Sequence, residues 1–303
     1  MNTSSRPSLV TAYVMMHTAV ILYGFTAILG KLISISGTTL VWYRLLIAMI
    51  SFCFFPGILG QIRAIPVAVR WRLAGIGLLM ALHWATFYEA IKYSNVSITL
   101  SCLASTSFFT SLIEPIFFGR RIQWYEVLLG LMVVLGFGFI FGFTGGKYST
   151  GIIIAMISAL TIAIAGVLNK VYVSEYPVGA ISMIEFAGGW VLLSIIFPVY
   201  VWAFPDKGFV PTLSDTLYLL ILALVCTTLA YTLTMTALKV VSAYTAALAI
   251  NLEPVYGILM AYGIFHENEE LNGGFYVGTG IILLSVVLHP ILRHYAEKQN
   301  RQT

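Results

Sequence analysis

Charge is what this sequence has least of. Asp, Glu, Lys and Arg make up 9% of its 303 residues, and 59% are hydrophobic. Soluble domains carry about 25% charged residues. So small a complement cannot clothe a surface exposed to water, which excludes an ordinary soluble domain. Cysteine is scarce too. Cys53, Cys102 and Cys226 stand alone inside apolar runs, with no C-x-x-C spacing, so neither a disulfide framework nor a metal site is indicated. No basic stripe exists. The net charge of +4 is scattered between apolar runs, which offers nucleic acid no electrostatic footprint. The chain also lacks H-E-x-x-H, a nucleophile elbow and G-x-x-x-x-G-K-[ST]. Nothing therefore indicates catalysis or ATP hydrolysis, and no cofactor is called for.

What the chain does have is long apolar runs. A helix needs roughly 20 apolar residues to cross a ~30 Å hydrocarbon core. Ten segments qualify: 11–33, 38–59, 72–91, 96–118, 124–143, 151–171, 178–203, 216–238, 242–264 and 273–292. Turn or charge signals separate them, such as Ser36-Gly37, Gly145-Gly146-Lys147 and Tyr176-Pro177. The first run lacks a small-residue cleavage site and is read as a retained span. The 26 glycines, among them Gly136, Gly138 and the pair Gly188-Gly189, suit close helix packing and small hinge motions.

The positive-inside rule tests this count. With the N-terminus in the cytoplasm, the inner side holds Arg6, Arg63, Arg70, Arg72, Arg120, Arg121, Lys170, Lys239, Arg293, Lys298 and Arg301. The outer side holds Lys31, Lys92, Lys147 and Lys207. Adding or removing one span would scramble that bias. Both termini are therefore expected in the cytoplasm.

Two stretches resemble each other at a spacing of 147 residues. Ala90-Ile91-Lys92 matches Ala237-Leu238-Lys239, and Phe118-Gly119 matches Phe265-His266. With one extra loop residue, Gly130 matches Gly278; earlier, Gly30-Lys31 pairs with Asn169-Lys170. The chain reads as five spans plus five, over 1–147 and 148–303. Five is odd, so the second copy is expected inverted, a plan shared by many secondary transporters. The expected fold class is an all-α membrane protein of ten helices in two inverted five-helix repeats.

These residues resemble the EamA-type members of the drug/metabolite transporter superfamily. Tyr23-Gly24-Phe25 with Gly30-Lys31 is similar to the family's aromatic-Gly element in helix 1. Arg44-Leu45-Leu46-Ile47-Ala48 is similar to its Arg-x-x-x-Ala signature in helix 2. Ala237-Leu238-Lys239 through Glu253-Pro254 and on to Gly278 is similar to its proline-containing helix 9 and following loop. Arg120-Arg121 stand where Gly-Glu is more usual, and Thr106-Ser107 where helix 4 usually carries a proline. The resemblance implies movement of small metabolites such as amino acids across an inner (plasma) membrane, driven by proton or solute exchange. It also implies a cavity lined by helices 3, 4, 8 and 9.

Ionisable groups at mid-bilayer cost at least ~2.5–3.5 kcal/mol on insertion scales and should face a partner or a wet cavity. Glu253 lies halfway along the ninth span, beside Asn251. Pro254 removes an N–H there and so frees the carbonyl of Ile250. A carboxylate, an amide and a free carbonyl make a polar spot for a solute amine or a proton. His83, Trp84 and Tyr88 give the third span an aromatic wall, and Ser101 and Tyr231 add hydroxyls. These seven are the candidate solute ligands, each set against ordinary packing. Arg44, Glu185 and Glu114 are read as structural or gating charges, and a direct Arg44–Glu185 pair is not favoured because their depths differ. Glu89, His17, Ser105, Thr227, Thr228, Thr234 and Tyr244 are weaker candidates.

The expected function is a secondary transporter working by alternating access, as an exporter or exchanger, driven by proton exchange or by substrate exchange, and monomeric or homodimeric in the bilayer. The residues leave open a channel or facilitator, or a membrane-embedded lipid-modifying enzyme.

Overall fold

The computed structural model describes residues 7–119, 123–144, 146, 148–203, 208–250, 252–266 and 273–300, and every regular element among them is helical. Side chains start many of the helices. The hydroxyl of Ser8 accepts the Thr11 N–H and opens α1 (Leu9–Leu32). Ser36 does the same for α2 (Gly37–Phe52) through Thr39. These caps satisfy donors that a helix start would otherwise leave in lipid. The expected second span runs to residue 59, but α2 stops at Phe52. Pro56 and the left-handed Gly57 turn the chain, and a short α3 (Ile58–Ala64) follows.

The remaining helices are α4 (Val67–Tyr93), α5 (Val96–Leu103), α6 (Thr106–Phe118), α7 (Trp124–Thr144), α8 (Ser149–Tyr172), α9 (Val178–Ala203), α10 (Leu213–Ala223), α11 (Ala230–Ala237), α12 (Ala243–Ile250), α13 (Glu253–Phe265) and α14 (Gly273–Asn300). A π-helical turn, Leu224–Leu229, joins α10 to α11. Thr212 and Asp215 form a capping box at the start of α10, and Asp215 also accepts the N–H and hydroxyl of Ser34 at 2.7 Å each. That carboxylate ties the end of α1 to the start of α10.

Among the described residues, six stretches are long and apolar enough to cross a membrane: Leu9–Leu32, Val67–Tyr93, Val96–Phe118, Ser149–Tyr172, Val178–Ala203 and Leu213–Ala237. Shorter apolar helices occupy the other four expected spans: Gly37–Phe52, Trp124–Val133, Val255–Phe265 and Gly273–Ser285. Large apolar side chains cover the outside, with Val10, Trp71, Trp124, Trp202 and Leu213 each 74–83% exposed. Lipid, and not water, suits such a surface.

Two helix pairs echo each other. The bounds of α5 and α6 recur in α12 and α13 with one shift: 96 to 243, 103 to 250, 106 to 253 and 118 to 265. Both pairs end on a left-handed residue, Gly119 (φ 65°) and His266 (φ 53°). The spans expected at 96–118 and 242–264 are therefore each broken in the middle. Pro254 accounts for the second break, since it cannot donate to the preceding turn. No proline sits at the first. There the hydroxyls of Ser105, Thr106 and Ser107 donate to the carbonyls of Cys102, Leu103 and Ala104 and replace the interrupted backbone ladder.

Packing follows a matching scheme. α4 lies against α8 and α9, while α1 and α2 meet the α10–α11 rod. α5 and α6 pack on α8, as α12 and α13 pack on α1. α5 meets α13, α6 meets α12, and α7 runs along α14. Small residues allow the closest crossing. A Cβ at Gly77 would run into the carbonyl of Glu185, and one at Gly188 into the backbone of Ala74. The backbones of α4 and α9 therefore touch, as small residues permit in lipid.

Candidate functional site

A cavity of about 120 Å³ lies where the two mid-helix breaks meet, with Leu103, Ala104 and Thr106 on one side and Ile250 and Glu253 on the other. A single water needs roughly 10–15 Å³ on this measure, so several waters or a small organic solute fit. The N-terminal ends of α6 and α13 both open at this point, and the partial positive charge of a helix start favours negative groups nearby.

α4 supplies an aromatic wall from His83, Trp84 and Phe87. His83 is fixed by a double clasp to α8. Its Nδ1 lies 3.1 Å from the Ser158 carbonyl and 2.8 Å from the Ser158 hydroxyl, which itself donates to the His83 carbonyl at 2.9 Å. The Ser158 carbonyl can only accept, so Nδ1 carries the proton and Nε2 is left as the acceptor nitrogen.

α11 supplies Tyr231. Its hydroxyl donates to Glu185 Oε2 at 2.6 Å and accepts from Asn169 Nδ2 at 2.8 Å. Tyr231 and Asn169 line the cavity, and Glu185 stands behind them. Glu185 Oε1 and Asn169 Oδ1 are buried without a hydrogen-bond partner, so this network has spare acceptor capacity. Tyr23 of α1 reaches Thr234 of α11 at 3.0 Å, and both belong to the wall.

Of the seven candidate ligands, the structure brings His83, Trp84, Tyr231 and Glu253 to the cavity. Tyr88 is 1% exposed and sits behind Arg44, its hydroxyl accepting Nη1 at 2.7 Å. Ser101 turns away, bonding the Ser97 carbonyl and the Thr279 hydroxyl of α14. Asn251 lies outside the described residues, as do Arg120 and Arg121. Arg44, read as structural, is itself in the wall. Its hydrogen bonds go to Thr227, Tyr88 and Cys226, while Glu185 is bonded to Tyr231. Glu114 lies away from the cavity and accepts the backbone N–H of Tyr244 at 2.9 Å. His17 is exposed on α1.

Sequence reasoning missed Asn169 and Tyr23 as wall residues. Both carried a signal. Asn169 is an amide inside an apolar run, where a polar group needs a partner. Tyr23 belongs to an aromatic-glycine element, and Gly24 is in fact packed on Tyr256 and Met260 of α13.

The model of the EamA-like transporter family matches the chain twice, over residues 10–142 and 149–289. No curated protein matches it. Twenty-eight chains of known structure do. One, described as "Crystal structure of protein", superposes with a TM-score of 0.67 over 94% of this chain and 99% of its own, at 16% identity. At that identity the likeness shows the fold.

Proposed function

The chain belongs to the EamA-like transporter family, and from that premise we propose that this multi-pass membrane protein carries small organic metabolites, amino acids or related compounds, by alternating access. The observation that carries the reading is the buried cavity between the two broken helix pairs, with Glu253 at its edge. A pore would need a continuous polar path. Here the cavity wall is mostly apolar and aromatic, with His83, Trp84 and Phe87 on one side and Tyr231 on the other.

The chain is proposed to cross an inner membrane ten times, with both termini in the cytoplasm and residues 1–147 and 148–303 as inverted repeats. The four shared boundaries of α5–α6 and α12–α13 support the repeat. So does the exchange of packing partners, α4 with α8 and α9 against the α10–α11 rod with α1 and α2. Two halves related in this way can exchange inward-open and outward-open arrangements by rocking about the α5–α13 and α6–α12 contacts. Transport is proposed to be proton-coupled or to proceed by exchange, with Glu253 the first candidate to carry the proton or meet a solute amine.

The test is flux. Purified protein and its Glu253→Gln variant are reconstituted in proteoliposomes, and counterflow of labelled amino acids and metabolites is followed across pH. The variant is expected to lose flux or its pH dependence. If neither rate nor pH profile changes, Glu253 has no part in the mechanism. Single-channel currents in a bilayer would replace the transporter by a channel.

A further inference from the structure

Arg44 is 0% exposed, yet it forms part of the cavity wall. Among the described residues, its hydrogen-bond partners are all neutral. Nε donates to Thr227 Oγ1 at 2.6 Å, Nη1 to the Tyr88 hydroxyl at 2.7 Å, and Nη2 to the Cys226 carbonyl at 3.5 Å. The Trp84 ring lies 4.1 Å from Cζ. No carboxylate is among these partners.

The seat is built for the purpose. Thr227 and Cys226 belong to the π-helical turn of Leu224–Leu229, a local departure that often marks a functional position. The Thr227 and Thr228 hydroxyls donate to the carbonyls of Leu222 and Ala223, five residues back, and so stabilise the widened turn. It is this turn that offers both Thr227 Oγ1 and the Cys226 carbonyl to α2.

A guanidinium does not shed its proton in proteins. Held in a low-dielectric interior with no carboxylate among these hydrogen-bond partners, and with Glu253 acting on it only through space from the same cavity, it is a standing cost. Of its five N–H donors, the three bonds above use three. One N–H on Nη1 and one on Nη2 remain, and a carboxylate can accept from both. Trp84 fixes one face of the guanidinium and, with Phe87, presents apolar surface beside it.

We propose that Arg44 docks the carboxylate, or a like small oxyanion, of the transported solute. The solute is then an organic acid or zwitterion, with its acid group at Arg44 and its apolar body against Trp84 and Phe87. An ammonium, where the solute has one, faces Glu253. Purely cationic amines are rejected, because they would set a second positive charge beside Arg44. This rests on the reading of the cavity as the solute site.

Matched probes test it on the full chain in detergent or nanodiscs. L-Leucine and L-phenylalanine are compared with isoamylamine and phenethylamine, which lack the carboxylate, and with 4-methylpentanoate and 3-phenylpropionate, which lack the amine. Direct binding of the labelled compounds is measured. The amino acids and the plain acids are expected to bind saturably and the amines not to. Arg44→Gln is expected to weaken acid binding by about a hundredfold, and Arg44→Lys by less, since it keeps the charge and loses the fork. Amines binding as tightly as acids overturns the proposal. So does saturable binding by none of the acids, or an Arg44→Gln protein that binds acids undiminished. Should Arg44→Gln fail to fold, the probe series on the unaltered protein decides alone. Counterflow separates the two readings. Flux of amines but not of acids overturns the Arg44 assignment and leaves the transporter standing. Acid binding lost in Arg44→Gln, with no flux of any probe by the unaltered protein, keeps the assignment and overturns the transporter.

Discussion

The carboxyl of Glu114, near the end of α6, accepts the backbone N–H of Tyr244 at the start of α12, 2.9 Å away. The bond joins the two broken pairs at the end where α6 stops and α12 begins. It lies in a buried place, with Glu114 4% exposed. A carboxylate here also suits the positive end of a helix, while Ser242 takes the Thr245 N–H of the same turn.

Glu114→Ala is therefore expected to remove the carboxylate that accepts the Tyr244 N–H and to cost about 1–3 kcal/mol. Glu114→Gln keeps an acceptor oxygen and is expected to cost less. Thermal unfolding in detergent ranks the three proteins. Because the bond latches α6 to α12, the alanine variant should also change the flux rate. Equal melting temperatures for all three would show that the latch carries no stability.

Gly77 gives a sharper stability test. Adding a methyl there drives into the Glu185 carbonyl and forces α4 from α9. Overpacking of this kind costs about 1–3 kcal/mol. Gly75, on the opposite face of the same helix, has nothing within 4 Å of its Cβ position. Gly77→Ala is expected to lower the melting temperature and Gly75→Ala to leave it unchanged or raise it, since alanine favours a helix interior over glycine. Similar melting temperatures would mean that α4 and α9 do not cross so closely.

Much of this arrangement was legible in the residues. The 147-residue spacing, read from Phe118-Gly119 against Phe265-His266, reappears at four helix boundaries and at both left-handed caps. His83, Trp84, Tyr231 and Glu253 could be picked out because a polar or aromatic-rich stretch inside a lipid-spanning run needs a reason. The breaks were half legible. Pro254 announces one in the sequence, whereas the junction at Ala104–Ser105 rests on hydroxyls that bond their own backbone, and composition cannot distinguish those from hydroxyls facing a cavity. The same ambiguity misplaces Ser101. Tyr88 was misread for another reason. It shares a helix face with Trp84, but Gly30 opposite has no side chain, so the ring fills that gap and the hydroxyl reaches Arg44. The role of Arg44 depended on the π-helical turn, and nothing in Leu224–Leu229 signals a change of helical register.

Tyr231→Phe keeps the ring that packs on Phe186, centroids 5.1 Å apart, and removes only the hydroxyl. Glu185 Oε2 then loses its donor and Asn169 Nδ2 its acceptor, in a place where each already has one oxygen unmet. Leaving buried polar groups unpaired costs about 1–3 kcal/mol. A lower melting temperature and reduced flux are expected together. Tyr23→Phe, which removes one bond to Thr234, should be the milder change; the reverse order would show that the Glu185–Tyr231–Asn169 chain is not the tighter network.

Ser158 separates positioning from contact. It does not line the cavity, but its hydroxyl and carbonyl both meet His83 Nδ1, and its hydroxyl also holds the His83 carbonyl. Ser158→Ala deletes the hydroxyl and leaves the carbonyl, so His83 keeps one restraint on Nδ1 and gains freedom to rotate. The loss in stability should be about 1–3 kcal/mol, since two hydrogen bonds go and each is usually worth about 1 kcal/mol net. The functional effect should be larger in KM than in maximal rate, since an imidazole that wanders offers Nε2 to the solute for less of the time. His83→Ala removes Nε2 itself and should raise KM further, while a second Ser158→Ala change on that background adds little, because the two act through one ring. If Ser158→Ala and His83→Ala instead raise KM additively, Ser158 works independently of His83, and the clasp is packing alone.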